Sequence, residues 1–424
     1  MIFANDYKGA CDSEVLNAAI SNKGEDGIVV IERRRSDTDP ERDFWLIDSA
    51  ILLPSNTTVV LKDCKIKLSD RARDNFFRTA NCGFGIEHPE PVRNIHIRGE
   101  GLCILEGADH PRATGDGGKI LKCPCPHLPE DICRVAEYVP AERRARGEIT
   151  FADVHSYSYG TDAGRDDESQ YGDWRGIGIL FACAEDFSIS GVRIVESHGW
   201  GISLEACSKG SIERIEFDAR MHKTIDGMEM NLENEDGIDI RNGCHDLVIS
   251  DIIGSTGDDV VALTAIANPC INYKPGGSLR STHVMHNDFE RRDPDIHDIV
   301  IRNVRAHSYL CYTLRLLAVG IAKIYNVDAC GITDTAPSNT MSRGTVQIGN
   351  KGTYGEVHPD SVYNVRLSNI VCNSRGAVIV AGYLSDSEIT DVTNNNPSCE
   401  AIAVHREDGL KNVRTSNIKT LSKE

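Results

Sequence analysis

Positive charge is what this sequence lacks most. Its 46 lysines and arginines face 64 aspartates and glutamates, for a net charge of −18. That balance excludes a nucleic-acid backbone as partner, because phosphate binding needs a basic surface. It also disfavours a long polyanionic substrate, unless the binding groove is locally basic. No apolar run approaches the ~20 residues that cross a bilayer, so no membrane partner is expected. The opening "MIFANDYKGACDSEV" has no basic stretch followed by an apolar one, so it does not read as a secretory leader. The 15 cysteines are odd in number and scattered from Cys11 to Cys399. A chain this long needs no disulfide framework, so free, mostly buried thiols and a cytoplasmic location are expected. Aromatics are scarce at 6%, and helical periodicity is missing beyond about residue 25.

What the chain does have is repetition. "FSISGVRI" is echoed by "GSIERIEF", "DLVISDII", "DIVIRNVR", "AKIYNVDA", "YNVRLSNI", "DSEITDVT" and "NVRTSNIK". Aligning the first aliphatic residue of each selects Ile189, Ile212, Ile249, Ile301, Ile324, Leu367, Ile389 and, more weakly, Thr415. The short spacings between them fall at 22–26 residues, and the long ones read as a coil carrying an insertion. A second short run follows in most units, as in "WGISLEAC", "DGIDIRNGC", "DVVALTA", "YTLRLLA", "GTVQIGN" and "GAVIVAG". These runs are β-branched and bounded by Gly, Asn, Asp or Ser, as strands are. A 22–26-residue unit of two or three short strands is one coil of a parallel β-helix, which buries an aliphatic ladder as the coils stack. The leucine-dense pattern of a leucine-rich repeat is missing. The expected fold is an all-β, single-stranded parallel β-helix of about ten coils over residues 25–421, forming one domain from 1 to 424.

An exposed end of such a stack needs a cap. "SEVLNAAI" (13–20) reads as a capping helix with Ser13 at its N-cap. Between Ala108 and Asp173 the pattern breaks into a polar stretch, expected to be a long insertion or lid at the groove.

Two successive short strands open on bare carboxylates. Asp236 precedes "GIDI" and the pair Asp258–Asp259 precedes "VVAL", 22 residues on (236 to 258). Equivalent points of stacked coils lie about 4.8 Å apart, so the three carboxylates should be neighbours in space. Carboxylates this close repel, and at least one should have a raised pKa. Glycoside hydrolysis needs such a set: one carboxyl kept protonated for the leaving oxygen, another ionised to activate water. Asp-Gly and Gly-Asp are also ordinary turn dipeptides, but two of them in register, one doubled, favour catalysis.

"NEDGID" followed one coil later by "TGDDVVAL" resembles the polygalacturonase-type glycoside hydrolases (family 28), which carry Asn-Thr-Asp and Gly-Asp-Asp motifs on adjacent coils. "ILFACAEDFSISGVRIVESHGWGISLEAC" is similar to that family's coil pattern, and the resemblance is close over 174–265 and loose over 5–107. It implies a right-handed β-helix, no metal or cofactor, and an oligosaccharide or polysaccharide substrate. It also implies Asp258 as general acid, Asp236 and Asp259 as the residues that hold and deprotonate water, and inversion at the anomeric carbon. Asn234 would be a structural or substrate-orienting neighbour, and Glu235 stands where the family has threonine. The family's Gly-His-Gly motif is absent; Tyr312 or His307 is expected in the histidine's place. Its Arg-Ile-Lys motif is replaced by "VQIGNK", with Gln347 and Gly349 at the two cation positions and Arg315 and Lys351 nearby. A uronate carboxylate wants a paired Arg or Lys, so a different, neutral glycan is an open alternative.

Trp174 and Trp200 are sugar-stacking or packing residues. "HVMHND" (His283, His286, Asp288) reads as a surface loop rather than a metal site. In "CPCPHLPEDIC", Cys123, Cys125 and Cys133 with His127 fit no zinc spacing and read as structural thiols. Two rival functions remain on the same fold: a polysaccharide lyase with calcium on the acidic residues, and a non-catalytic carbohydrate-binding β-helix.

Overall fold

In the computed structural model, strands coil around one aliphatic core. The structure describes residues 1–109 and 174–421, apart from 36–38, 71, 73, 84–85, 87, 198, 220–221, 226–227, 232–234, 268–271, 274–276, 279–282, 286–291, 338–341 and 353; within 222–231 and 272–278 only backbone is described. The 108–173 insertion therefore lies outside the described residues from 110 onward, with its cysteines and His127.

Most of the described strands form two large parallel sheets, one of 15 strands and one of 10, and two antiparallel pairs stand apart from them. The first is built from the long strands, including Ala184–Val195, Ser208–Asp218, His245–Thr256, Ile296–Ser308, Ile324–Asp334, Val362–Cys372 and Leu384–Asn394. The second stacks short ones: Ile51–Leu53, Phe77–Thr79, Ile179–Ala182, Ile202–Glu205, Ile238–Arg241, Val261–Ile266, Tyr312–Val319, Gly344–Ile348, Val378–Val380 and Ile402–Val404. From Ile179 onward each coil contributes one strand to each sheet, while the first coils add extra strands to the long one; the fold is a right-handed parallel β-helix of about ten coils.

The inner ladder of the long sheet runs Ile97, Ile189, Ile212, Ile249, Ile301, Ala329, Leu367, Ile389, Thr415 in register. Seven of the eight sequence anchors lie on it. Ile324 does not: it pairs with Ile296 and Val362, and Ala329 takes its place. The cause is that each long strand offers two equivalent inward positions five residues apart. Between them the backbone turns through left-handed residues, also five apart: Asp246 and Asp251, Asp298 and Asn303, Asn326 and Gly331, Asn364 and Asn369, Asp386 and Asp391, Asn412 and Asn417. Asparagine and aspartate adopt that conformation at lower cost than other side chains. Their side chains also bond coil to coil, with the Asn326 amide donating to Asp298 (2.9 Å) and the Asn364 amide to Asn326 (2.6 Å).

The helix Asp12–Ser21 covers the first coil with Val15, Leu16, Ala19 and Ile20 buried beneath it. Its N-cap is Cys11, with no side-chain cap bond, so Ser13 is not the cap. Ser13 Oγ instead accepts the Asp48 and Ser49 N–H groups (2.9 and 3.2 Å), while Asp12 accepts the Leu46 N–H and pairs with Arg34 and Arg42. The polar first turn is spent on anchoring the helix to the coils.

Candidate active site

The acidic residues sit where the chain enters the short sheet. Ile238 pairs with Val261, and Val261 with Leu314. The bonds Gly237 N–H to the Asp259 carbonyl (2.8 Å) and Val260 N–H to the Tyr312 carbonyl (2.9 Å) carry this register back to the aspartates. Asp236, Asp259 and Tyr312 thus fall in one row across three coils. A Cβ on Gly237 would come 2.4 Å from the Val260 carbonyl, and one on Gly257 would come 3.0 Å from the Glu235 Cβ. Only glycine lets the coils approach so closely at these two points.

The chain bends at Gly257. The N–H groups of Gly257 and Asp258 both donate to the Glu235 carbonyl (3.0 and 3.3 Å), and Thr256 Oγ1 donates to the Asp258 carbonyl (2.5 Å). On a flat strand Asp258 and Asp259 would face opposite ways. The bend brings an oxygen of each within 4.8 Å of the other and of Cys311 Sγ. Among the described residues, these three form the one group whose ligand atoms are close enough to share a cation.

Asp259 is buried and fully engaged. Its Oδ1 accepts the Tyr312 N–H (2.9 Å) and its Oδ2 the Arg315 guanidinium (3.0 Å). Burial raises its pKa to about 6, against the opposing pull of Arg315. Asp236 is buried too, and burial followed by Asp239, Asp258 and Asp259 pushes it well above the usual carboxylate range. Asp258 is half-buried at the rim and accepts the Asp259 N–H through Oδ1 (2.8 Å).

The expected residues are distributed as follows. Arg315 joins the acids, and its guanidinium lies 5.1 Å from the centre of the Tyr354 ring. Tyr312 stands in register with Asp259 on the next coil. His307 belongs to the long sheet, bonds Thr335 Oγ1 (3.1 Å) and has Asp334 as its charged neighbour. Gln347 is in register with Arg315, with its Oε1 buried and without a hydrogen-bond partner. Lys351 is exposed on the loop beyond, where His405 feels its charge. Asn234 lies outside the described residues.

Trp200 is half-buried, packed against the cluster that holds Trp174 and Leu180, with the Arg241 guanidinium 4.6 Å from its ring centre. His283 is not on a surface loop. It is 1% exposed and meets Glu205, a fully buried carboxylate that also pairs with Arg241 and accepts the Val284 and Met285 N–H groups. His283, Val284 and Met285 are held here by a buried cluster with Glu205 and Arg241, which a two-histidine pattern does not disclose. His286 and Asp288 lie outside the described residues.

Sequence reasoning missed three members of the site. Asp239, within "GIDI", is 4% exposed, has an Oδ2 without a partner, and is raised well above the usual range by burial and by Asp259 and Asp258, against Arg241. Strand alternation between the inward Ile238 and Ile240 was the signal for it. Cys311 is buried beside Asp258, and burial holds its thiol protonated. Arg343 is exposed, and its N–H donates to the Cys311 carbonyl (2.9 Å).

No protein-family model matches the sequence, and no curated protein does. Among solved structures, a polygalacturonase from Erwinia carotovora ssp. carotovora is similar at a TM-score of 0.55 and 13% identity, over 99% of this chain and 96% of that one. A Yersinia enterocolitica family 28 exopolygalacturonase gives a TM-score of 0.44 at 11% identity, over 99% and 78%. The tailspike protein of E. coli bacteriophage HK620 gives 0.48 at 12%, over 95% and 64%. The first likeness is one of fold, along nearly the whole of both chains.

Proposed function

We propose that the chain is a glycoside hydrolase that cleaves O-glycosidic bonds of oligosaccharides by an inverting mechanism with two carboxylates. The observation that carries this is the cluster of Asp236, Asp258 and Asp259, drawn together from two adjacent coils, with Asp236 and Asp259 both raised by burial. Asp259, held by Arg315 and the Tyr312 N–H, has a pKa of about 6 and is ionised at neutral pH. With Asp236 it positions the attacking water and takes its proton. Asp258, at the exposed rim, protonates the leaving oxygen. Burial and the neighbouring carboxylates raise Asp236 well above the usual range, so the cluster holds a proton that the reaction can use. The likeness of fold to a polygalacturonase supports a glycan as substrate.

The test is turnover of a panel of aryl glycosides and oligosaccharides, with the first product anomer read by NMR. Inversion is expected, with loss of turnover in Asp258→Asn. Retention of configuration, or an unsaturated product whose formation a chelator abolishes, would overturn the proposal in favour of a nucleophilic or a lyase mechanism.

A further inference from the structure

Two pairs of cysteines face each other across adjacent coils. The register Lys65↔Ile104 and the Ile104 N–H bond to the Cys64 carbonyl (3.0 Å) set Cys64 opposite Cys103. The register Ser208↔His245 sets Cys207 opposite Cys244. All four are free, buried thiols. Neighbouring strands lie about 4.8 Å apart, inside the Cα separation of roughly 4.4–6.8 Å that a disulfide spans. Either pair therefore has the spacing to close.

Their surroundings differ. Cys103 follows a turn whose Leu102 is 60% exposed, and it lines a surface cavity with Gly101, Leu102, Val192, Arg193 and Ile253. The Cys103 thiol reaches the Leu61 and Glu100 carbonyls (3.2 and 3.4 Å), and the neighbouring Cys64 brings Cys103 down to about 7 while Cys64 itself is raised. Cys207 and Cys244 lie wholly inside the coil at 0% exposure. Burial pushes Cys207 far up, so that it holds its proton. Only the first pair thus borders a path from solvent.

We propose that Cys64 and Cys103 form a peroxide-responsive dithiol whose disulfide ties two early coils of the β-helix together, while Cys207 and Cys244 remain reduced. The Cys103 thiolate attacks one oxygen of a hydroperoxide and the O–O bond breaks. For hydrogen peroxide the departing hydroxide takes up a proton as water, leaving Cys103 as a sulfenic acid. The Cys64 sulfur then attacks Cys103 Sγ, the S–O bond breaks, and the hydroxide leaves with the Cys64 proton as a second water. Two thiols lose two electrons, and one peroxide is reduced to two waters. A small oxidant suits a sulfur that only borders a cavity.

The full-length chain would be treated with a few equivalents of hydrogen peroxide, its remaining thiols alkylated, and its peptides mapped by mass spectrometry without reduction. A Cys64–Cys103 cross-link is expected as the main disulfide, with two thiols lost, both restored by dithiothreitol. The oxidised chain should melt a few degrees higher, because the bond closes the long loop from residue 64 to residue 103. In Cys64→Ser the sulfenic acid on Cys103 has no partner and should be trapped by dimedone. If that variant folds poorly, Cys103→Ser supplies the reverse check, since its Cys64 should stay unoxidised. Oxidation of Cys103 no faster than that of Cys207 would overturn the proposal. So would recovery of Cys103 as a sulfinic acid while Cys64 is still alkylated.

Discussion

Replacing Arg315 by methionine removes a charge from the centre of the site and keeps most of the side chain's bulk. Arg315 and Asp259 pair at 3.0 Å with side-chain exposures of 13% and 2%. With an effective dielectric constant near 20, a contact of 3.0 Å is worth about 5 kcal/mol of attraction. Breaking a buried pair from one side typically costs about 3–5 kcal/mol, because the remaining charge is stranded. The loss should depend on pH in a defined direction. Asp259 has a folded pKa of about 6, above the ~3.9 of an unfolded aspartate. A carboxyl raised in this way favours the fold while protonated and costs stability as pH rises through its folded value. Without Arg315 that value climbs further, by about two units for each 3 kcal/mol lost. Urea unfolding of wild type and Arg315→Met from pH 4 to pH 8 should therefore show a small deficit at pH 4, where Asp259 is neutral in both. By pH 8 the deficit should reach about 3 kcal/mol. Adding Asp259→Asn to Arg315→Met removes the stranded charge and should restore most of the loss. A deficit independent of pH, or none at all, would refute this account of the pair.

Asp258→Asn should lower turnover by roughly 10²–10⁴-fold with little change in affinity. A glycoside with a strongly acidic leaving group, such as dinitrophenyl, should rescue it far more than Asp236→Asn; equal rescue would count against the assigned roles. Asp239→Asn keeps the shape and removes an ionisable group from the crowded cluster. The remaining acids should then titrate lower, moving the acidic limb of the rate profile to lower pH, and an unmoved limb would show that Asp239 is uncoupled from them. Gly237→Ala drives a methyl into the Val260 carbonyl, 2.4 Å from the ideal Cβ position. It should cost about 2 kcal/mol or more in chemical denaturation, and a stable variant would mean that the coils part without strain.

The architecture was legible in the sequence because a β-helix writes its fold locally. Each coil must bury its own aliphatic residues against the same two neighbours, so the inward positions recur at coil length from Ile189 to Ile389. The same locality marked the acidic turns, since residues at equivalent points of adjacent coils must be neighbours. Where the sequence misled, the repeat was ambiguous within one coil. Ile324 and Ala329 are both inward, and only pairing with Ile301 distinguishes them. Side-chain partners were beyond reach for a different reason. Whether a carboxylate is ionised depends on burial and on charges brought from other coils. Asp259 is paired because Arg315 arrives 56 residues later in the chain, and Asp239 is raised above the usual carboxylate range because burial and the acids of the next coil act on it. Cys64 and Cys103 read as two ordinary buried thiols until the stacking register puts them face to face. Strand periodicity, a property of single coils, came from the sequence alone; charge state and thiol pairing belong to contacts between coils, which only the folded stack decides.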